Sequence, residues 1–333
     1  NEYDIQQGEH FPPEEIRPYK CMATRYLQLQ HPSKQGKTSG DGRAIWNGDF
    51  RGRKFTWDIS SSGTGATCLS PAVALEKRFF KTGDKQVGYG NGRADLVDGI
   101  CTAVMSDVFH RNKIRTERTL AIIAFKDGTS INVRVYPSLL RPAHFFRYMK
   151  LKDYDSLKGM TNHYIQRQVE NGIWPEIKDP FHKYEHFLEQ VTVQFALAVA
   201  QFESEYIFCW LDWDGDNILV DGAIIDYGSV RQFGLFHHEY RYDDVDRMST
   251  NIREQKGKAK YIVQTFIQIV DYLITKEAKS LSAFKKDKVL KLFDQEFEWQ
   301  KNHDVLYKMG FGARLQKKLL DQPGAVSDVL AFR

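Results

Sequence analysis

The sequence predicts an α+β fold in two lobes, β-rich at the N-terminal end and mainly helical after it. Three observations carry this. Short runs of β-forming residues, punctuated by Asn-Gly and Asp-Gly turns, fill Ala44 to Tyr136. A single helical pattern interrupts them. From Pro142 onward the pattern is helical, broken by one short hairpin around Asp221-Gly222. The expected division is an N-terminal extension over 1–39, a first lobe over 40–141 and a helical second lobe over 142–333 that carries the hairpin. The cleft between two such lobes is the default ligand site.

Within the extension, the pattern predicts a helix near Glu14–Leu29. Ala44–Trp46 and Lys54–Ser60 read as two strands of a hairpin, with the turn at Asn47-Gly48-Asp49. Ser60-Ser61-Ser62-Gly63-Thr64-Gly65 is too flexible in composition for the middle of an element, and 68–90 reads as loop. Ala94 to Asn112 reads as a helix whose apolar face is Leu96, Ile100, Val104 and Val108. Thr119–Phe125 and Ser130–Tyr136 form a second hairpin turned at Asp127-Gly128. Further helices are expected at Phe181–Tyr206, Ala259–Thr275 and Ser282–Lys301. Two short strands, Asn217–Val220 and Ala223–Asp226, flank Asp221-Gly222.

Composition narrows the class. Of 333 residues, 42% are hydrophobic and 27% charged, which excludes a disordered chain, a collagen and a coiled coil. The longest apolar stretches, such as Val191 to Phe202, are broken by Gln194 and Gln201, so no membrane partner is expected. Net charge is +4, and the small basic clusters at Arg51–Lys54 and Lys285–Lys288 read as solvated faces. Without a basic stripe, no nucleic-acid partner is expected. Cys21, Cys68, Cys101 and Cys209 form no Cys-x-x-Cys, so free thiols in a reducing compartment are expected. The polar start, Asn-Glu-Tyr-Asp-Ile, is unlike a signal peptide, and its missing initiator Met points to trimming or processing. The expected location is cytoplasmic.

Among the motifs, Gly36-Lys37-Thr38 suggests a P-loop, but that pattern needs a Gly where His31 stands. The segment Asp214-Gly215-Asp216-Asn217, followed by Ile225-Asp226-Tyr227-Gly228, is more informative. Protein kinases put a base Asp and a metal-binding Asn in one loop, then a metal-binding Asp-Phe-Gly after a short hairpin. Folding the 217–226 hairpin brings an amide oxygen and a carboxylate together, a hard donor pair suited to Mg²⁺ on nucleotide phosphates. The same residues also read as a surface hairpin with acidic turns. His144, set among aromatics, reads as a packed residue. Trp210–Trp213 reads as core, and His237-His238 as loop.

Five blocks in order resemble the selenoprotein O (SelO/YdiU) family of protein adenylyltransferases, which have a kinase-like fold. They are Gly40-Asp41-Gly42-Arg43-Ala44-Ile45, Trp57-Asp58-Ile59 to Gly65, Gly90 to Ala94, Arg134 to Arg141, and Asp216-Asn217 with Ile225 to Gly228. The resemblance implies Asp216 as catalytic base and Asn217 and Asp226 as metal ligands. It implies Arg134 and Arg141 on the outer phosphates, with Gly63, Gly65 and Arg93 also at the nucleotide. It implies ATP and Mg²⁺, with ATP inverted relative to kinases, so that AMP passes to Ser, Thr or Tyr hydroxyls of a protein substrate. Ser62 and Thr102 stand where the family has a Lys–Glu ion pair. A basic residue from elsewhere is therefore expected to compensate, among Lys54, Lys77, Lys81 and Lys85. The same two departures leave open a nucleotide-binding pseudoenzyme scaffold, or other ATP-dependent chemistry on this fold.

Overall fold

The structure is a computed structural model that describes residues 22–23, 44–64, 92–209, 215, 217–232, 239–240, 250–322 and 324–331. The chain divides into two compact units, one of Asn1–Pro180 with Asp214–Tyr227, the other of Phe181–Trp213 with Gly228–Arg333. As expected, a small antiparallel sheet in the N-terminal part is followed by a mostly helical C-terminal part.

The sheet of the first unit contains β1 (Met22–Ala23), β2 (Ala44–Arg51), β3 (Thr56–Ser62), β4 (Arg118–Ala124) and β5 (Ser130–Tyr136), in the order β1-β2-β3-β5-β4. Its N-terminal strands depart from the expected pattern at three places. Met22–Ala23 is a strand paired with Ile45 and Trp46, not part of a helix over Glu14–Leu29; the remainder of that segment lies outside the described residues. Asn47-Gly48 is a bulge within β2, where Trp46 opposes Ser60, Gly48 opposes Ile59 and Asn47 has no opposite. Gly48 has φ +109°, a conformation that serves a bulge as well as a turn. The hairpin turns instead at Gly52–Phe55, closed by the Gly52 N–H on the Phe55 carbonyl at 2.8 Å. The serine run, read as loop, continues β3 through Ser62. Ser60 and Ser61 are buried, and Ser61 Oγ donates to Asn47 Oδ1 at 2.9 Å.

The β4–β5 hairpin turns where expected, with Gly128 at φ +82° and Asp127 Oδ1 accepting from the Thr129 N–H, and its register shifts between Thr119 and Ala121. Between the hairpins runs α1 (Leu96–Arg111). Its bounds fit the pattern, but its orientation does not. Ile100 and Val104 are 49% and 54% exposed and Val108 also faces solvent, whereas Gly99, Ser106 and Phe109 are buried. The sheet face that α1 meets is polar: a Cβ at Gly99 would stand 2.3 Å from Asn132 Oδ1 and 3.0 Å from Ser130 Oγ. Small residues therefore face the sheet, and the apolar stripe faces out.

After β5 come α2 (Pro142–Leu151) and α3 (Tyr154–Glu170). Phe145, Phe146, Leu157 and Tyr164 are buried, with the rings of Phe145 and Tyr164 edge to face at 6.5 Å. In the second unit α4 (Pro180–Ser204) buries Phe187, Val191, Phe195 and Phe202. Phe187 and Phe195 meet Phe266 of α5 (Glu254–Thr275), at 5.8 and 6.5 Å between ring centroids. Then follow α6 (Val289–Lys308), α7 (Ala313–Leu320) and α8 (Ala325–Leu330). Among the described residues, no helix is long and apolar enough to cross a membrane.

Candidate active site

The expected hairpin is present in the first unit. Ile218 and Ile224 form an antiparallel bridge, the Leu219 N–H donates to the Ala223 carbonyl at 2.8 Å, and the Ile225 N–H donates to the Asn217 carbonyl at 3.1 Å. The last bond brings the backbones of Asn217 and residue 225 together, one residue before Asp226. Leu219, Ala223 and Ile225 are buried against Tyr136 and Leu139. At the tip, Tyr136 donates to Asp221 Oδ2 at 2.7 Å. Asp226 is half-buried and takes φ +58°, a left-handed conformation uncommon away from glycine.

The segment that leaves β5 is tied to both flanks of the Asp-Asn pair. The Val220 N–H donates to the Leu140 carbonyl at 3.1 Å, and the Ala143 N–H to the Gly215 carbonyl at 2.9 Å. Arg141 lies between these two anchors and is buried at the start of α2. Its own N–H donates to His144 Nδ1 at 3.0 Å. Burial, then the nearby Arg141 and Arg147 guanidiniums, hold the fully buried His144 well below the ordinary histidine range. His144 is thus a neutral capping residue of the core, as its setting among aromatics suggests.

Gly63 follows β3 with φ +86°, and a Cβ there would meet the Ser130 carbonyl at 2.4 Å and Ala94 Cβ at 2.7 Å. Arg93 precedes that same Ala94 and stands 4.0 Å from Asp95. Thus Gly63 and the Arg93 segment meet at the entry to α1. Asp216 and Gly65 lie outside the described residues, as do Lys77, Lys81, Lys85, Trp210–Trp213, His237 and His238. Cys101 is an exposed free thiol. Lys54 is exposed in the turn at the opposite end of β3 from Ser62, which argues against its standing in for a lysine at 62.

Arg134 projects from β5, opposite Ser60 of β3 and Thr119 of β4. Its Nη1 stands 3.1 Å from Glu117 Oε2. Glu117 escaped the sequence reading because Arg115-Thr116-Glu117-Arg118 looks like a solvated charge run; only burial distinguishes it. Tyr227, the residue after Asp226, donates to Thr116 Oγ1 at 2.5 Å, since the Thr116 hydroxyl donates to the Ile224 carbonyl at 2.9 Å. Burial, then Glu117, push the Tyr227 phenol above its ordinary range.

The family of protein adenylyltransferase SelO matches residues 6–326. The chain belongs to that family. Among SelO relatives, a protein nucleotidyltransferase YdiU of Trichodesmium erythraeum is 28% identical over 64% of this chain and 44% of its own length. Another protein nucleotidyltransferase YdiU, from Klebsiella pneumoniae, is 23% identical over 84% of this chain and 52% of its own. That of Thiobacillus denitrificans is 27% identical over 57% and 36%. The chain thus spans about half the length or less of these SelO relatives.

Proposed function

We propose that this chain is an ATP- and Mg²⁺-dependent protein adenylyltransferase on a kinase-like fold. The observation that supports the reading is that backbone hydrogen bonds tie together the segments carrying Arg141, Asn217 and Asp226, and that Arg134 is linked to the same ladder through Glu117. Relatives named protein nucleotidyltransferases support the reaction class.

The donor set fits Mg²⁺. Asn217 and Asp226 offer an amide and a carboxylate oxygen, and Mg²⁺ takes few protein ligands when phosphates and water complete its shell. Bound there, the ion would neutralise phosphate charge. Arg134 and Arg141 would hold the outer phosphates through their guanidinium donors. The acceptor hydroxyl oxygen of the protein substrate attacks the α-phosphorus. The bond from that phosphorus to the bridging oxygen breaks, and pyrophosphate leaves. Asp216, between Gly215 and Asn217, takes the hydroxyl proton.

The test is transfer of label from ATP to protein. α-Phosphate label should be incorporated and γ-label should not. Asp216→Ala should abolish incorporation while ATP still binds. Transfer of γ-label would make the chain a kinase. Binding without any transfer would favour a scaffold, the reading that Ser62 and Thr102 support.

A further inference from the structure

Arg134 has an anchored acidic partner. The Glu117 side chain is fully buried and that of Arg134 is 13% exposed. A carboxylate taken out of water persists where a cation or donors compensate it, and Arg134 is that cation. A guanidinium carries five N–H donors. Among the described residues, only the contact with Glu117 gives those donors an acceptor, and buried Arg134 Nε and Glu117 Oε1 have none. One edge of the guanidinium is thus pinned, and the other donors remain for a further anion.

The pin itself is rigid. Thr116 and Ile224 form a parallel bridge, and the Ile224 N–H donates to the Arg115 carbonyl at 3.0 Å. The Glu117 N–H points to the Ile224 carbonyl at 3.4 Å. Glu117 therefore stands on a short backbone ladder whose other rail leads, two residues on, to Asp226. Arg134 also shares a sheet face with Ser62: Ser60 opposes Arg134, and Ser62 opposes Asn132, which looks toward Gly99 of α1. The buried positions of α1 on that face, Gly99 and Ser106, and Thr102 between them, carry no carboxylate.

The geometry points to Glu117 as a positioning residue for nucleotide binding. From the α1–β4 connection it supplies the carboxylate that orients Arg134 toward the outer phosphates, a role for which α1 presents only Thr102. This rests on the reading of Arg134 as a phosphate ligand.

Affinities for ATP and for AMP, measured by calorimetry with Mg²⁺, test it. Glu117→Gln keeps the shape and removes the charge. ATP should bind about tenfold more weakly and AMP within about twofold of wild type, because AMP lacks the outer phosphates. Arg134→Gln should show the same selectivity. Adding Glu117→Gln to Arg134→Gln should cost nothing further, since Glu117 acts through Arg134. A merely structural Glu117 would weaken ATP and AMP alike, which would overturn the inference. So would a folded Glu117→Gln that binds ATP normally while Arg134→Gln does not. An Arg134→Gln variant with normal ATP affinity would instead refute the phosphate reading itself. Should Glu117→Gln not fold, Glu117→Asp keeps the charge but draws it back by one methylene. ATP-selective loss is again expected, and equal loss for AMP would overturn the assignment.

Discussion

Gly215 adopts φ +98°, and a Cβ there would stand 2.7 Å from Phe146 Cε2 and 3.2 Å from the Ala143 nitrogen. Both the left-handed backbone and the close approach exclude a side chain. Gly215→Ala should destabilise the protein by about 2 kcal/mol in chemical denaturation, and it should disturb the Ala143 N–H bond that anchors the loop. His144 gives a pH signature. Its ordinary value is near 6.5 and burial holds it well below that when folded. The unfolded chain therefore takes up a proton that the folded chain refuses. Stability from this residue is full above pH 6.5 and is lost as pH falls toward the depressed folded value, by at most about 1.4 kcal/mol per pH unit. His144→Asn, whose side-chain oxygen can still accept from the Arg141 N–H, should flatten that slope in denaturation curves recorded between pH 7 and 5. An unchanged slope would mean that another group governs it.

At the scale of the element, α1 separates pattern from packing. Its periodic apolar residues face solvent, while Gly99 meets the polar face of β5. Val104→Lys should change stability by no more than about 0.5 kcal/mol. Gly99→Ala should cost more, since its Cβ would press on Asn132 Oδ1. Thermal unfolding of the two variants side by side checks the order, and a reversal would mean that α1 packs through its apolar stripe. The same geometry bears on Ser62 and Thr102. A Lys at 62 would share the sheet face with Arg134, already paired to Glu117. Like charges repel by about 4 kcal/mol at 4 Å in a partly buried setting. Ser62→Lys with Thr102→Glu should therefore leave AMP transfer no better than wild type. A large gain would show a weakened site awaiting its ion pair.

At the scale of the whole molecule, segments far apart in the chain converge on Arg167. It is buried in α3, pairs with Asp49, and donates to Asp58 Oδ1 at 3.0 Å, while Asp58 Oδ2 accepts from the Leu139 N–H at 2.8 Å. Burial pushes the Asp58 carboxyl up, against the pull of the Leu139 N–H and Arg167. Nearby, Asn171 holds Thr56 through both backbone groups, at 2.7 and 3.2 Å. Arg167→Ala would strand a buried carboxylate, so a loss of about 3–5 kcal/mol is expected in chemical denaturation. A loss below 1 kcal/mol would mean that water compensates Asp58. The sequence alone determined the α+β order, the span of α1 to within two residues, the turn of the β4–β5 hairpin and the hairpin between Asn217 and Asp226, because local periodicity and turn chemistry act over a few residues. Family membership was legible for a similar reason: short motifs keep their order along a chain whatever their spatial neighbours. Read from sequence, the bulge at Asn47 passes for a turn and the exposed stripe of α1 for its buried face, and the partner of Arg134 goes unseen. A positive φ serves a bulge as well as a turn, an apolar stripe does not say what the opposite surface is made of, and a glutamate between arginines reads as solvated. Only the tertiary structure, by burying Glu117 beside Arg134 and packing Gly99 on Asn132, decided among those alternatives.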